Sequence, residues 1–406
     1  MFRVIYAAPI LAYPPAGGPE MDIVNSVKAL STISELHIVS TVPQSQVNPS
    51  AEEFFRQKSV AFHYSPSARG GYPAKINRRL RMLAGQTLVE ADANWILSYY
   101  RKHSMDAIWC DRGEELLVDL IHTIKAADPK AKVVCDTCAV YSQFILRELP
   151  YADTEARKQK ILAAGKKKEA EEQSLAKISD VTTAVSEIDA QYYRSIARVP
   201  ESVMLFSNVV DVDAYAAVSA PAGFSKPALV SPGSYYSPES PMAEGTRWFV
   251  DHILPRIRKA VPSIGLYLVG KGSDQHLGSI IDPHDPRIVT TGRVPSVVPY
   301  LANADVCIVP LRFESGTRFK ILEAGASGTP VVSTTLGAEG IPVESGRHLL
   351  LADSPEEFAD AVVRVLQDKD LARRLATGLR SLVDAQFGIR RLAADGTAIL
   401  TYLNRS

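Results

Sequence analysis

Short apolar runs alternate with longer stretches of helical periodicity along most of the chain, and the series is played twice. Alternation of this kind builds βαβ units, in which parallel strands are joined by crossover helices. In the first half, strands are expected at 2–8, 35–40, 60–64, 107–110, 132–136, 181–185 and 203–206, with helices such as 20–30, 114–127 and 153–178 between them. The pattern then pauses. Asp211 to Pro227 contains DAYAAVSAPAGFSKP, small residues and prolines without periodicity, which reads as a linker. A second series follows, with strands at 228–233, 265–269, 287–290, 306–309, 330–333 and 348–351 and helices at 245–260, 317–326, 355–367 and 370–387. The expected architecture is α/β: two doubly wound, Rossmann-like domains facing across a cleft at the carboxyl ends of both sheets. Residues 1–210 form the first domain, 211–227 the linker and 228–388 the second domain; a last helix within 389–406 packs back on the first.

Composition narrows the partners. With 406 residues, 46% of them apolar and 22% charged, the chain can bury sizeable cores in two or three domains. Lys plus Arg equals Asp plus Glu at 45 each, so no global field draws it to nucleic acid or membrane. Four cysteines argue against a disulfide framework and for a reducing, cytoplasmic setting. No apolar run approaches 18 residues. The opening MFRVIYAAPILAY lacks the basic start of a leader and reads as a buried first strand. Charge is locally uneven: 54–89 holds Arg56, Lys58, Arg69, Lys75, Arg78, Arg79 and Arg81 and no acid. That region is either a solvated helix face or a patch for an anionic acceptor or acidic membrane surface.

The densest chemistry lies in PLRFESGTRFKILEAGASGTPVVSTTLGA, 310–338. A strand ends at Pro310, a loop with Ser315, Gly316 and Thr317 follows, and a helix begins with Arg318, Phe319 and Lys320. Backbone N–H groups at a helix start attract phosphate, and glycine lets a ligand approach the main chain. Arg318 and Lys320 add positive charge there. Glu323 shares a helix face with Lys320 and is placed to accept hydrogen bonds from ribose hydroxyls. A capped helix with an ordinary Lys–Glu pair fits the same residues. Elsewhere, Cys135-x-x-Cys138 lacks the further ligands of a zinc site and reads as buried thiols. Asp111 and Asp136 end strands and are candidates for acceptor contact or loop hydrogen bonds.

The 310–338 stretch resembles the donor-binding signature of the retaining glycosyltransferases of family four, which have the GT-B fold. The resemblance runs through Gly17-Gly18, EEQSLAKISDVTTAVSE and Ser207–Asp211 in the first half. In the second it takes in Gly233-Ser234, WFVDHILPRI, LYLVGKGSD and TGRVPSVVPYLANADVCIVPLR. Its nearest branch is the sugar transferases of bacterial polysaccharide clusters. The resemblance implies that Glu323 holds the nucleotide ribose and that Ser315, Gly316, Thr317, Arg318 and Lys320 face the diphosphate and donor sugar. It also implies that the Gly17-Gly18 loop closes on the same phosphates, that Gly233 and Ser234 belong to the nucleotide-sugar-binding set, and that Lys271, Arg293 and Val294 lie in segments that flank the base. Arg318, Lys320 and Glu323 would then carry catalysis. The co-substrate expected is a nucleotide diphosphate sugar, UDP-linked ahead of GDP-linked, with no other cofactor and no metal. The acceptor expected is a glycan or lipid-linked hydroxyl, with peripheral membrane contact through 54–89.

Three positions depart from the family pattern. Ser315 stands where the first glutamate of a pair should lie, eight residues before Glu323. The Gly-Ser turn continues as GSYYSPESPM, without the usual basic pair, a role open to Arg318 and Lys320. Cys138 occupies the expected position of a first-domain histidine. A non-catalytic nucleotide-sugar-binding protein of the same fold, or a nucleotide-sugar epimerase, is therefore the alternative to a transferase.

Overall fold

The computed structural model describes residues 1–70, 87–111, 115–215 and 218–405. They divide into two compact units, Met1–Asn208 with Ile389–Ser406, and Val209–Gly388. In the first unit the strands are β1 (Phe2–Ala8), β2 (Ser34–Ser40), β3 (Ala61–Tyr64), β4 (Ala107–Asp111), β5 (Val133–Asp136), β6 (Val181–Ala184) and β7 (Val203–Leu205). They pair in parallel in the order β3-β2-β1-β4-β5-β6-β7. Val4 to Ala8 are fully buried because β1 lies inside a sheet covered on both faces, which is why it reads as an unbroken apolar run. The strand order reverses beside β1, and a crevice opens outside the carboxyl ends at such a point.

The second sheet is also wholly parallel. Its strands are β8 (Ala228–Pro232), β9 (Gly265–Val269), β10 (Ile288–Thr290), β11 (Val306–Val309), β12 (Val331–Ser333) and β13 (Leu350–Leu351), in the order β10-β9-β8-β11-β12-β13. The helix expected at 245–260 starts earlier, at Pro241. Ser240 caps it by accepting from the Ala243 N–H at 3.3 Å, and proline suits a first helical turn. It runs Pro241–Trp248, widens to π geometry over Phe249–Ile253, and resumes as Leu254–Ala260. Pro255 has no N–H for the carbonyl one turn back, and the wide turn absorbs that missing bond.

The stretch read as a linker packs within the second unit. Val212–Tyr215 form a short 3-10 turn with Tyr215 buried, Phe224 stacks on Tyr267 at 4.4 Å, and the Ser225 N–H donates to the Tyr267 hydroxyl at 2.8 Å. Helix Ile389–Arg405 lies on the first unit, where a Cβ at Gly396 would sit 3.0 Å from Ile33 and 3.2 Å from Leu30. Of the basic 54–89 region, Arg56 pairs with Glu52 at 2.7 Å and Arg69 lies over the Trp95 ring. Lys75, Arg78, Arg79 and Arg81 lie outside the described residues. All four cysteines are buried free thiols, and burial pushes Cys135 up to about 12. No helix among the described residues is long and apolar enough to cross a membrane.

Candidate functional site

Five loops of the second unit leave the carboxyl ends of its parallel strands; hydrogen bonds join those after β8, β9 and β10, and others join those after β11 and β12. After β8, the Gly233 N–H donates to the Val269 carbonyl at 2.9 Å and the Tyr235 N–H to the Lys271 carbonyl at 2.8 Å. After β9, Gly270 has φ of +135°, and a Cβ there would lie 2.0 Å from the Gly233 carbonyl oxygen. Only glycine lets these two loops touch backbone to backbone. After β10, the Gly292 N–H donates to Ser273 Oγ at 3.0 Å, bringing Arg293 and Val294 next to the Gly270–Gly272 turn. Ser234, Lys271 and Arg293 are exposed, so their side chains are open to a ligand.

The loop after β11 carries Ser315, Gly316, Thr317 and Arg318, all buried, with Gly316 at φ +78°. Helix Phe319–Ala326 begins one residue beyond Arg318. The Arg318 guanidinium, 4% exposed, donates to the carbonyl of Gly316 and, at 3.3 Å, to that of Leu336 in the loop after β12. Its side chain therefore braces two loops.

Lys320 is half-buried one turn along, its Nζ 3.0 Å from Met242 Sδ. Burial lowers its pKa to about 8; Glu314, Cys307 and Glu323 oppose the shift, and Arg318 adds to it. Glu323, also half-buried, accepts from the Tyr215 hydroxyl at 3.1 Å. Burial raises its carboxyl above the usual range, while Tyr215 and Lys320 pull it back. Ser315 to Glu323 thus form one group, with Gly233, Ser234, Lys271, Arg293 and Val294 on neighbouring loops of the same edge.

Gly17 and Gly18 belong to the other unit. Gly17 caps helix Gly18–Ile33 without a side-chain bond, its backbone extended at φ −159°, and Glu20 in the first turn accepts from the Ala16 N–H at 2.6 Å. In that unit Asp111 and Asp136 are register neighbours on β4 and β5. Asp111 accepts from the Tyr6 hydroxyl; Asp136 accepts from Trp109 Nε1 at 2.7 Å and Thr183 Oγ1 at 2.5 Å. Burial first, then the Asp111 charge, raises the Asp136 carboxyl well above its usual range. Cys138 donates to the Tyr141 hydroxyl at 3.3 Å. His103 stacks on Tyr99, and His122 lies 3.0 Å from Ser174 Oγ.

Two D-x-D triplets occur, at Asp211 and Asp213 and at Asp368 and Asp370. In the second, Asp368 caps helix Lys369–Gln386. Among the described residues, no three His, Cys, Asp or Glu side chains gather in a metal-holding group.

Sequence reasoning missed Tyr215 and Met242, which touch Glu323 and Lys320. The one available signal for Tyr215 was that it is, with Phe224, one of two aromatics in a stretch rich in small residues and prolines. Met242 gave none.

Two wholly parallel α/β units define the class, a GT-B fold. Two solved structures share the fold along its full length. Sucrose-phosphate synthase from Thermosynechococcus elongatus has a TM-score of 0.70 at 14% identity, covering 100% of both chains. Anabaena Alr3699/HepE, solved with UDP and glucose, has a TM-score of 0.65 at 13% identity, covering 99% of this chain and 100% of that one. Residues 226–368, within the second unit, match the family described as Glycosyl transferases group 1. A D-inositol 3-phosphate glycosyltransferase from Paenarthrobacter aurescens is 35% identical over 153 residues, 34% of this chain and 36% of the relative. The chain thus matches about a third of the length of this curated relative.

Proposed function

We propose that the protein transfers a sugar from a nucleotide diphosphate sugar to an acceptor hydroxyl with retention at the anomeric carbon, in bacterial polysaccharide or glycoconjugate synthesis. The observation that carries the reading is the group on helix Phe319–Ala326 and the loop before it: a helix start, a half-buried lysine and a carboxylate one turn on, within the segment that matches the glycosyl transferase family. Departure of a diphosphate from an oxocarbenium-like centre leaves negative charge to be stabilised. Lys320 supplies the cation, and Arg318 holds the Gly316 turn in place through the carbonyls it braces. The leaving phosphate itself takes the acceptor proton on the same face. Glu323 receives the ribose hydroxyls. UDP, present in the Anabaena structure, is the first base to test, with GDP beside it.

Incubating the protein with UDP- and GDP-sugars and following nucleoside diphosphate release tests the reaction. Nucleotide binding without any turnover would favour the non-catalytic reading that Ser315 and Cys138 raise. Glu323→Ala should weaken nucleotide binding about tenfold or more, since a charged acceptor of two hydroxyls is lost; wild-type affinity by calorimetry would remove the ribose role. A glycan or lipid-linked acceptor, and contact of 54–89 with an acidic membrane, belong to the same proposal. Co-sedimentation with anionic but not zwitterionic vesicles is its test.

A further inference from the structure

We propose that Tyr215 is a positioning residue for nucleotide binding: its hydroxyl, on the turn Val212–Tyr215, fixes the Glu323 carboxylate so that the free lone pairs face a ribose. The inference rests on the reading of Glu323 given above and assigns the part played by a second side chain.

The geometry is simple. Tyr215 is 9% exposed and donates to Oε1 of Glu323 at 3.1 Å. An ionised carboxylate offers about four acceptor positions, so one donor leaves room for two vicinal hydroxyls. A glutamate on a helix has three rotatable bonds and lies along the helix surface unless something holds it. The tyrosine ring is itself held by packing of the 3-10 turn on helix Phe319–Ala326. The contact also bears on ionisation. The groups facing Glu323 are Tyr215 from the turn, Lys320 from its own helix and the buried Cys307 thiol from β11. Burial raises the Glu323 carboxyl, and the Tyr215 hydrogen bond opposes that rise. Removing the hydroxyl therefore moves the carboxyl further up.

Tyr215→Phe keeps the ring and its packing and deletes the donor. Titrating UDP and GDP calorimetrically from pH 5 to 8 into wild type, Tyr215→Phe, Glu323→Gln and the double variant separates the possibilities. The expected result is binding about three- to tenfold weaker in Tyr215→Phe at neutral pH. Its loss of affinity on acidification should also begin at higher pH than in wild type, because protonation of Glu323 removes acceptor sites. In the Glu323→Gln background the second change should add nothing. An unmoved pH profile with Glu323→Gln still impaired overturns the positioning role and leaves the ribose reading standing. Unimpaired Glu323→Gln overturns the ribose reading itself. A drop in thermal midpoint without a moved pH profile assigns Tyr215 to the fold alone and overturns the proposal.

Discussion

Lys320→Ala is expected to lower turnover by about two to three orders of magnitude, the loss typical of removing one preorganised group from a developing charge. The unfolding midpoint should scarcely move, because the ammonium is half-buried against Met242 Sδ and only a partly buried aliphatic stem is lost. The pH profile sharpens the test. The Lys320 pKa lies near 8 in the free protein, lowered chiefly by burial, so the charged form dominates below that pH and is lost above it. In wild type kcat/KM, which reports the free enzyme, should fall as pH rises through about 8. Lys320→Arg stays protonated throughout and should lose that alkaline limb even if its rate is lower. Full activity in Lys320→Ala would sink the assignment.

Gly270→Ala is expected to be the most damaging single methyl in the strand-end loops of the second unit. The new Cβ would be placed 2.0 Å from the Gly233 carbonyl oxygen, on a residue at φ +135° that L side chains rarely adopt. Backbone opposes backbone here, so neither a rotamer change nor a flexible neighbour relieves the clash. A loss of about 3 kcal/mol follows from strain of this kind, which for a unit of this size lowers the melting midpoint by roughly 6–12 °C. Nucleotide binding should fall with it, since the Gly233 and Gly270 loops part. Gly278→Ala is the control: nothing lies within 4 Å of its Cβ, and its stability should change by about 0.5 kcal/mol or less. Equal melting midpoints for the two variants would show that the loops give way without strain.

Fold was readable from the sequence wherever burial is two-sided. Gly265–Val269 and Val306–Val309 are continuous apolar runs because helices cover both faces of their sheet, and helix Pro355–Gln367 announces both its ends through Ser354-Pro355 and its apolar spacing. The helix from Pro241 was expected four residues late. Its capping signal, Ser240-Pro241, is short and local, while the apolar periodicity that marks a helix begins further on. Spacing also placed Lys320 and Glu323 on one face, since that depends on helix pitch alone. It said nothing of rotamers. Arg318 was read as charge for the diphosphate, but its guanidinium turns to the carbonyls of Gly316 and Leu336, a choice made by a loop eighteen residues away. Tyr215 was hidden for the same reason: its partner is over a hundred residues distant, and no local period records that contact.

The first unit is closed by a helix from the far end of the chain. Gly396 of Ile389–Arg405 meets Leu30, Ile33 and Phe206, all made before the second unit begins. During synthesis on the ribosome, the apolar side of helix Gly18–Ile33 and the edge beside β7 must therefore wait uncovered while the whole second unit is translated. The second unit, contiguous from Val209 to Gly388, has no such delay. Nascent chains stalled before residue 389 should carry a folded second unit and a protease-sensitive first unit, so the unit translated first matures after the one that follows it.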